Sequence, residues 1–301
     1  MTQIDKIKIT SPLDLKIESI RDKTLYHYTN NDALLNIIKG KSFWVSKAQF
    51  LNDPTELTYI EDVIAETCDK FIDPNNNGDL FFKERVSKKI SNHLSFGINV
   101  YVLSLSENPD SLTLWASYSQ FVGYNIGLDT SALIQAIKTQ DIPYVDGKVI
   151  YNQEKQEEII YNEIKPVYDY LKSSGQIKAG KHFIESTNHL NFILLMYSIF
   201  FKNPSFYPEE EYRIAFITDS SERQAPSLPE KIRTGNGSFI PFIEIPAKIT
   251  AGVNTGKFPL QSITIGPKNN HDITKKGVEH LLEYLGFRFI NIHKSKTLLR
   301  Y

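Results

Sequence analysis

Gly97 to Glu107, reading Gly-Ile-Asn-Val-Tyr-Val-Leu-Ser-Leu-Ser-Glu, is the most strand-like run in the chain and the one that most narrows what it can fold into. Its β-branched and aromatic residues suit an extended backbone. Because apolar residues occupy both alternating faces, the run predicts a central strand covered on two sides. A sheet buried in that way needs a large core. With 301 residues, 41% of them hydrophobic, the chain can supply one as a single large domain or as two ordinary ones.

Tyr207 to Ile217, reading Tyr-Pro-Glu-Glu-Glu-Tyr-Arg-Ile-Ala-Phe-Ile, places carboxylates at the mouth of a second buried strand. Alternation from Glu211 puts Glu211, Arg213 and Ala215 on one face and Tyr212, Ile214 and Phe216 on the other, and Glu209 then points the same way as Glu211. Adjacent carboxylates repel one another and are costly to desolvate. A fold that sets them beside an aromatic strand needs a cation nearby or a use for the negative charge. The plainer alternative is an exposed acidic turn with Arg213 as its partner.

The rest of the chain reads as alternating strands and helices. Residues 1–24 are an arm or edge strand, and residues 25–301 form one domain. Leu25 to Thr29 is β-prone, and Asn30 to Asp32 caps a helix carrying Leu34, Leu35, Ile37 and Ile38, closed by Gly40 in a left-handed conformation. Asp53, Pro54 and Glu56 have the spacing of a capping box that opens the next helix. A helix from roughly Leu80 to Leu94 precedes the central strand, and Asn108 to Ser111 caps a helix bearing Trp115 and Tyr118. Those two rings share a face, as core or as the wall of a pocket.

Tyr124 to Leu128 is a strand and Ser131 to Lys138 a helix. Tyr144 to Ile150 is a hairpin on Asp146-Gly147. The charged stretch 152–180 has helical periodicity interrupted by Pro166 and reads as a solvated insertion. A helix over 182–201 is apolar in its second half and must be buried there. Asp219 to Gly237 is a long loop, followed by strands at Phe239 to Ile245 and Gln261 to Ile265, a helix ending at Gly286, and a last strand from Phe287 to Ile292.

Several functions are disfavoured by composition. With 34 Lys and Arg against 35 Asp and Glu, wholesale electrostatic capture of nucleic acid is not expected. The lone Cys68 makes no internal disulfide and reads as core, and a reducing cytoplasm is the natural compartment. No signal peptide or bilayer-spanning run is present, so no membrane partner is expected. Neither His182 with His189 nor His271 with His280 has the carboxylate framing of a metal site.

Six landmarks now stand in order: Tyr26-His27-Tyr28-Thr29, Asn52-Asp53-Pro54-x-Glu56, Ser104-x-Ser106-Glu107-Asn108 with Trp115 and Tyr118 after it, Glu209-x-Glu211-Tyr212-Arg213, Ile263-x-Ile265-Gly266-Pro267, and Lys294-Ser295. This order resembles a large bacterial family of unknown function. That family in turn resembles distant diphtheria-toxin-type ADP-ribosyltransferases. The resemblance implies an α+β fold with mixed or antiparallel sheets flanked by helices, and NAD as the bound substrate. It further implies His27 on a first strand, Ser104, Ser106 or Tyr118 as the second element, and Glu211 on a third strand with Glu209 as its companion.

In that scheme His27 holds a ribose hydroxyl, Tyr28 and Trp115 offer flat faces to nicotinamide, Thr29 or backbone amides offer hydrogen bonds, and Arg213 pairs with Glu209 or contacts pyrophosphate. The expected activity is transfer of ADP-ribose from NAD to a macromolecule, protein or nucleic acid, as a toxin or phage-defence effector with an antitoxin or defence-system partner. Two alternatives stand beside it. One is an NAD glycohydrolase, and the other a non-catalytic nucleotide- or nucleic-acid-binding module using Trp115, Tyr118, Arg223, Lys231 and Arg233.

Overall fold

The computed structural model describes residues 15–53, 55, 57–88, 98–140, 142–178, 180–219, 228–235, 237–249 and 255–297. Its strands are β1 (Thr24–Thr29), β2 (Ser42–Lys47), β3 (Ile98–Ser106), β4 (Tyr124–Asp129), β5 (Tyr144–Lys148), β6 (Glu211–Asp219), β7 (Lys231–Gly235), β8 (Ser238–Pro246), β9 (Leu260–Ile265) and β10 (Asn291–Lys294). The helices are α1 (Asn31–Gly40), α2 (Tyr59–Asp69), α3 (Asn77–Ser87), α4 (Leu112–Ser119), α5 (Thr130–Lys138), α6 (Gln153–Ser173), α7 (Lys181–Ser198) and α8 (His271–Tyr284). The fold is α+β, a mixed sheet flanked by helices. Its strand pairs are antiparallel except β9 with β10.

The central role read for Gly97 to Glu107 is taken by β3, which pairs with β6 along its whole length, from Ile98 opposite Asp219 to Ser106 opposite Glu211. On its other side β3 meets β2 only at Tyr101 and Val102, and β1 only at Ser106. Between those contacts β1 and β2 part from β3 and leave a notch. The run β10-β9-β4-β1 joins the run β7-β8-β2-β3-β6-β5 where β1 meets β3.

The alternation read along β6 sorts its side chains into two cores. Ala215 and Ile217 join Val100 and Val102 under α2, α3, α6 and α7, whereas Tyr212, Ile214 and Phe216 join Tyr101, Leu103 and Leu105 on the opposite face, with residues of α1, α5 and α8. A third, small cluster of Tyr28, Leu114 and Trp115 packs α4 over β1.

Four readings change. The charged stretch 152–180 is not a wet excursion: α6 buries Ile159, Ile160, Ile164, Tyr168 and Leu171 in the helical core and continues through Pro166. Tyr144 to Lys148 is one strand against β6 rather than a hairpin, because Arg21 grips the Asp146 carboxylate with both terminal nitrogens, at 2.6 and 3.0 Å, and Gly147 pairs with Arg213. Helix α2 starts at Tyr59, and Asp53 instead closes a local turn by accepting from the Thr55 amide at 2.8 Å; Pro54 and Glu56 lie outside the described residues. Within the stretch read as a long loop, Lys231–Gly235 is a strand paired with β8.

Smaller adjustments follow the same physics. Lys41, with φ 50, takes the left-handed position after α1 that was assigned to Gly40. The last strand is Asn291–Lys294, since Gly286 and Phe289, both at positive φ, delay the return to extended backbone. Helix α3 is described to Ser87, so its expected extension to Leu94 falls mostly outside the described residues. The arm is seen from Leu15, where it lies along β5: the Lys148 amide donates to the Glu18 carbonyl at 2.9 Å, and Ile20 is buried.

Candidate functional site

Three neighbouring strands bring the site together. Tyr26 of β1 lies opposite Ser106 of β3, and Ser106 lies opposite Glu211 of β6, so the three side chains stand in a row on one face. Helix α4, capped by the Ser111 hydroxyl accepting from the Leu114 amide at 3.4 Å, lays Leu114 and Tyr118 over that row. A cavity of about 60 Å³ results. Tyr26, His27 and Tyr28 line it from β1, Ser104, Leu105 and Ser106 from β3, and Glu209 and Glu211 close its far wall.

His27 occupies the notch. Its Nδ1 lies 3.0 Å from the Ser104 carbonyl, and its ring meets Phe43 of β2 edge-on at 5.6 Å. Burial holds the imidazole below its ordinary value, against the pull of the hydrogen bond to Ser104. The Ser104 hydroxyl helps to hold the Glu211 carboxyl low.

The glutamates reach the cavity through a turn that the sequence pattern did not show. Asn203 caps a 3-10 helix, Pro204–Glu209, by accepting from the Ser205 amide at 3.0 Å, and Pro204 fits its first turn. Glu210 then adopts φ 44 before β6 begins, a left-handed conformation that a residue other than glycine seldom takes. Asn108 donates from Nδ2 to the Glu210 carboxylate at 2.9 Å, and the Glu107 amide donates to the Glu210 carbonyl at 3.0 Å.

Far from being an exposed acidic turn, Glu209 and Glu211 are 7% and 6% exposed. The cation that such burial requires is Lys202, whose Nζ lies 2.6 Å from Glu209 Oε2 and 3.2 Å from Glu211 Oε2. Arg213, on the same strand face, reaches Glu211 Oε2 at 2.7 Å and the Ile199 carbonyl at 2.6 Å. Two carboxylates thus face two buried cations.

Their acidities diverge. Burial, helped by repulsion from Glu211, pushes the Glu209 carboxyl up despite Lys202. For Glu211 burial also pushes up, but Arg213, Lys202 and the hydrogen bonds from Arg213 and Ser104 outweigh it and hold that carboxyl low. Tyr151 accepts from the Glu211 amide at 3.1 Å, and burial raises its phenol.

Of the residues singled out from the sequence, Glu211, Glu209, His27, Tyr28, Ser104, Ser106 and Tyr118 come together around the cavity. Two of these have hydroxyls engaged by the main chain. Tyr28 donates to the Asn108 carbonyl and accepts from the Ser111 amide, both at 2.8 Å, while Ser106 donates to the Glu209 carbonyl, also at 2.8 Å.

Thr29, Trp115 and Arg213 are placed elsewhere. Thr29 is buried at the end of β1. Trp115 is fully enclosed, edge-on to Tyr28 at 4.8 Å, and its Nε1 donates to Asp110 at 2.7 Å, so it has no free face for a nicotinamide ring. Arg213, 1% exposed, stands behind Glu211, where a pyrophosphate cannot reach it.

Lys231 and Arg233 lie on β7, with Lys231 paired to Glu244 at 2.6 Å, and Arg223 is outside the described residues. Lys202 was missed because it sits in an irregular connection. Its signal was a lone cation directly after the apolar run Phe192 to Phe201.

Among the described residues, no helix is long and apolar enough to cross a membrane. No curated protein and no solved structure matches the chain. Residues 114–214, about a third of the chain and the span that holds most of α4 and both glutamates, match a family described as a protein of unknown function (DUF2971).

Proposed function

We propose that this cavity binds the nicotinamide-ribose end of NAD and that the protein transfers ADP-ribose to a macromolecule. The observation that carries the reading is that His27 of β1, Ser104 of β3 and Glu211 of β6 all line one small cavity, in the chain order that the ADP-ribosyltransferase resemblance implies, with the His27 ring on the Phe43 side of the sheet and the Glu211 carboxylate on the side of Tyr26 and Ser106. Among the three candidates for the second element, Ser104 is favoured: its hydroxyl interacts with Glu211, whereas that of Ser106 serves the main chain.

In this reading the bond from ribose C1′ to nicotinamide breaks, nicotinamide leaves as a neutral molecule, and positive charge builds on the sugar before the acceptor's nucleophile bonds to C1′. A carboxylate about 4 Å from that charge, in an effective dielectric near 20, stabilises it by roughly 4 kcal/mol, on the order of a thousandfold in rate. Lys202 and Arg213 offset part of that field. At about 60 Å³ the cavity is smaller than a pocket that encloses a whole ligand, for which about 300 Å³ is a usual minimum. In this reading the adenosine half of NAD lies outside the cavity, past Tyr118, which lines it and is partly exposed. A role as toxin or phage-defence effector, with an antitoxin or other defence partner, rests on the family resemblance alone.

The test is release of nicotinamide from NAD by the purified protein, with and without a lysate as the source of acceptor. Transfer predicts acceptor-dependent release that falls roughly a hundredfold or more in Glu211→Gln. Release without acceptor, yielding free ADP-ribose, makes the protein a glycohydrolase instead. A second reading, a non-catalytic nucleotide-binding module, is favoured by the pairing of both carboxylates with cations. It predicts no nicotinamide release and NAD affinity unchanged in Glu211→Gln.

A further inference from the structure

Lys202 is built into the site more firmly than a surface ion pair would be. Phe201 makes a parallel bridge with Ile150, the Lys202 amide donates to the Ile150 carbonyl at 3.3 Å, and the Lys202 carbonyl accepts from Gln156 Nε2 at 3.0 Å. Gln156 is itself fully buried in α6, where its Oε1 accepts from Tyr59 at 3.0 Å. The side chain then passes over the Phe206 ring, with Nζ 4.8 Å from the ring centre, and ends between the two carboxylates. Main chain, ring and both acids fix one position for that ammonium group.

Lys202 contacts both acids, and Arg213 contacts Glu211 and a backbone carbonyl. Glu209 and Glu211 are separated by one residue in the left-handed conformation, so nothing in the local backbone other than that turn directs both side chains toward one point. Two like charges brought so close repel, and the cation between them removes that repulsion.

We infer that Lys202 is the positioning residue of this site: it holds Glu209 and Glu211 converged on the cavity and offsets the repulsion between them. The inference rests on the reading of the cavity as a place where carboxylates act. Lys202 does not line the cavity and touches no substrate; it acts through the two acids. Among the described residues, the other charged or titratable groups acting on the pair are Arg213, Tyr118 and Tyr151.

Three variants separate positioning from mere stability: Lys202→Met, Lys202→Arg, and the double variant Lys202→Met with Glu209→Gln, which removes one charge of each sign and keeps the fold even where the single variant unfolds. In full-length protein, the double variant should recover the urea midpoint lost in Lys202→Met. Its kcat for nicotinamide release should stay about tenfold or more below wild type, with KM within about threefold, and Lys202→Arg should restore part of kcat. Wild-type kcat in either methionine variant overturns the inference.

A wild-type protein that releases no nicotinamide defeats the functional reading and leaves this one testable, because carbon-13 NMR of the glutamate side chains reports Glu209 directly. Its titration should move up by about one pH unit or more in Lys202→Met. An unmoved Glu209 overturns the assignment of Lys202.

Discussion

His27 Nδ1 and the Ser104 carbonyl are 3.0 Å apart across the notch between β1 and β3. A carbonyl only accepts, so Nδ1 carries the proton and the neutral ring keeps Nε2 as an acceptor. Burial outweighs that hydrogen bond and holds the ring below its ordinary value of 6.5. The expected result in long-range nitrogen-15 NMR is the Nδ1–H tautomer at neutral pH, turning to the cation only on the acid side of 6.5. An Nε2–H tautomer, or a midpoint above 6.5, contradicts the geometry. His27→Phe leaves the carbonyl unpartnered and should cost about 1 to 3 kcal/mol in urea unfolding.

Glu209 and Glu211 should oppose each other in the pH dependence of stability. Glu211 is held low, so its contribution is complete above the ordinary carboxylate value of 4.5 and is lost as pH falls through its folded value. Glu209 is pushed up, so its contribution is complete below 4.5 and is lost as pH rises through its folded value. Urea unfolding from about pH 3.5 to about pH 8 should therefore show opposite slopes when wild type is compared with each Gln variant. For Glu211→Gln the wild-type advantage shrinks toward acid. For Glu209→Gln it shrinks above 4.5. Slopes of the same sign would show that the two carboxyls do not have separate surroundings.

Gly147→Ala should strip the arm from the sheet. A Cβ at that position would come within 2.2 Å of Ile17 Cγ2 and 3.2 Å of the Glu18 carbonyl, so the arm would have to move. The expected signs are about tenfold faster exchange of the Lys148 amide, which donates to Glu18, and new tryptic cleavage after Lys16. Unchanged exchange would mean that the β5 edge accommodates the methyl group.

Asp110→Ala should free the C-terminal segment. One carboxylate accepts from Trp115 Nε1 at 2.7 Å, from Ser295 Oγ and the Lys296 amide, each at 2.6 Å, and from Thr297 Oγ1 at 3.2 Å. Its loss orphans the buried indole and should cost about 2 to 3 kcal/mol, with faster trimming by carboxypeptidase. A loss under about 0.5 kcal/mol would place the hold on this segment elsewhere.

Local rules were legible where one interaction decides the outcome. Asn30 caps α1 by accepting from Ala33, and the alternation from Glu211 to Phe216 divides the two cores, because a cap and a two-residue period need only near neighbours. Asp146-Gly147 misled for the opposite reason: the pair suits a tight turn until Arg21 and Ile17, over a hundred residues earlier, hold it extended. The charged residues of α6 hid its apolar face in the same way. His27, Glu209 and Glu211 could be picked out from the sequence and all line the cavity, but Lys202 could not, since its place depends on a bridge to Ile150 and a left-handed turn at Glu210. Trp115 misled too: an indole that suits a stacking platform is fully enclosed once Asp110 takes its N–H.

The junction of β1 with β3 has a mechanical consequence. The run β10-β9-β4-β1 meets β3 through a single register pair, Tyr26 opposite Ser106, whereas β3 and β6 are paired along their whole length. Twisting one run against the other therefore breaks little pairing at that junction, and it alters the spacing between Tyr26 on one wall of the cavity and Glu211 on the other.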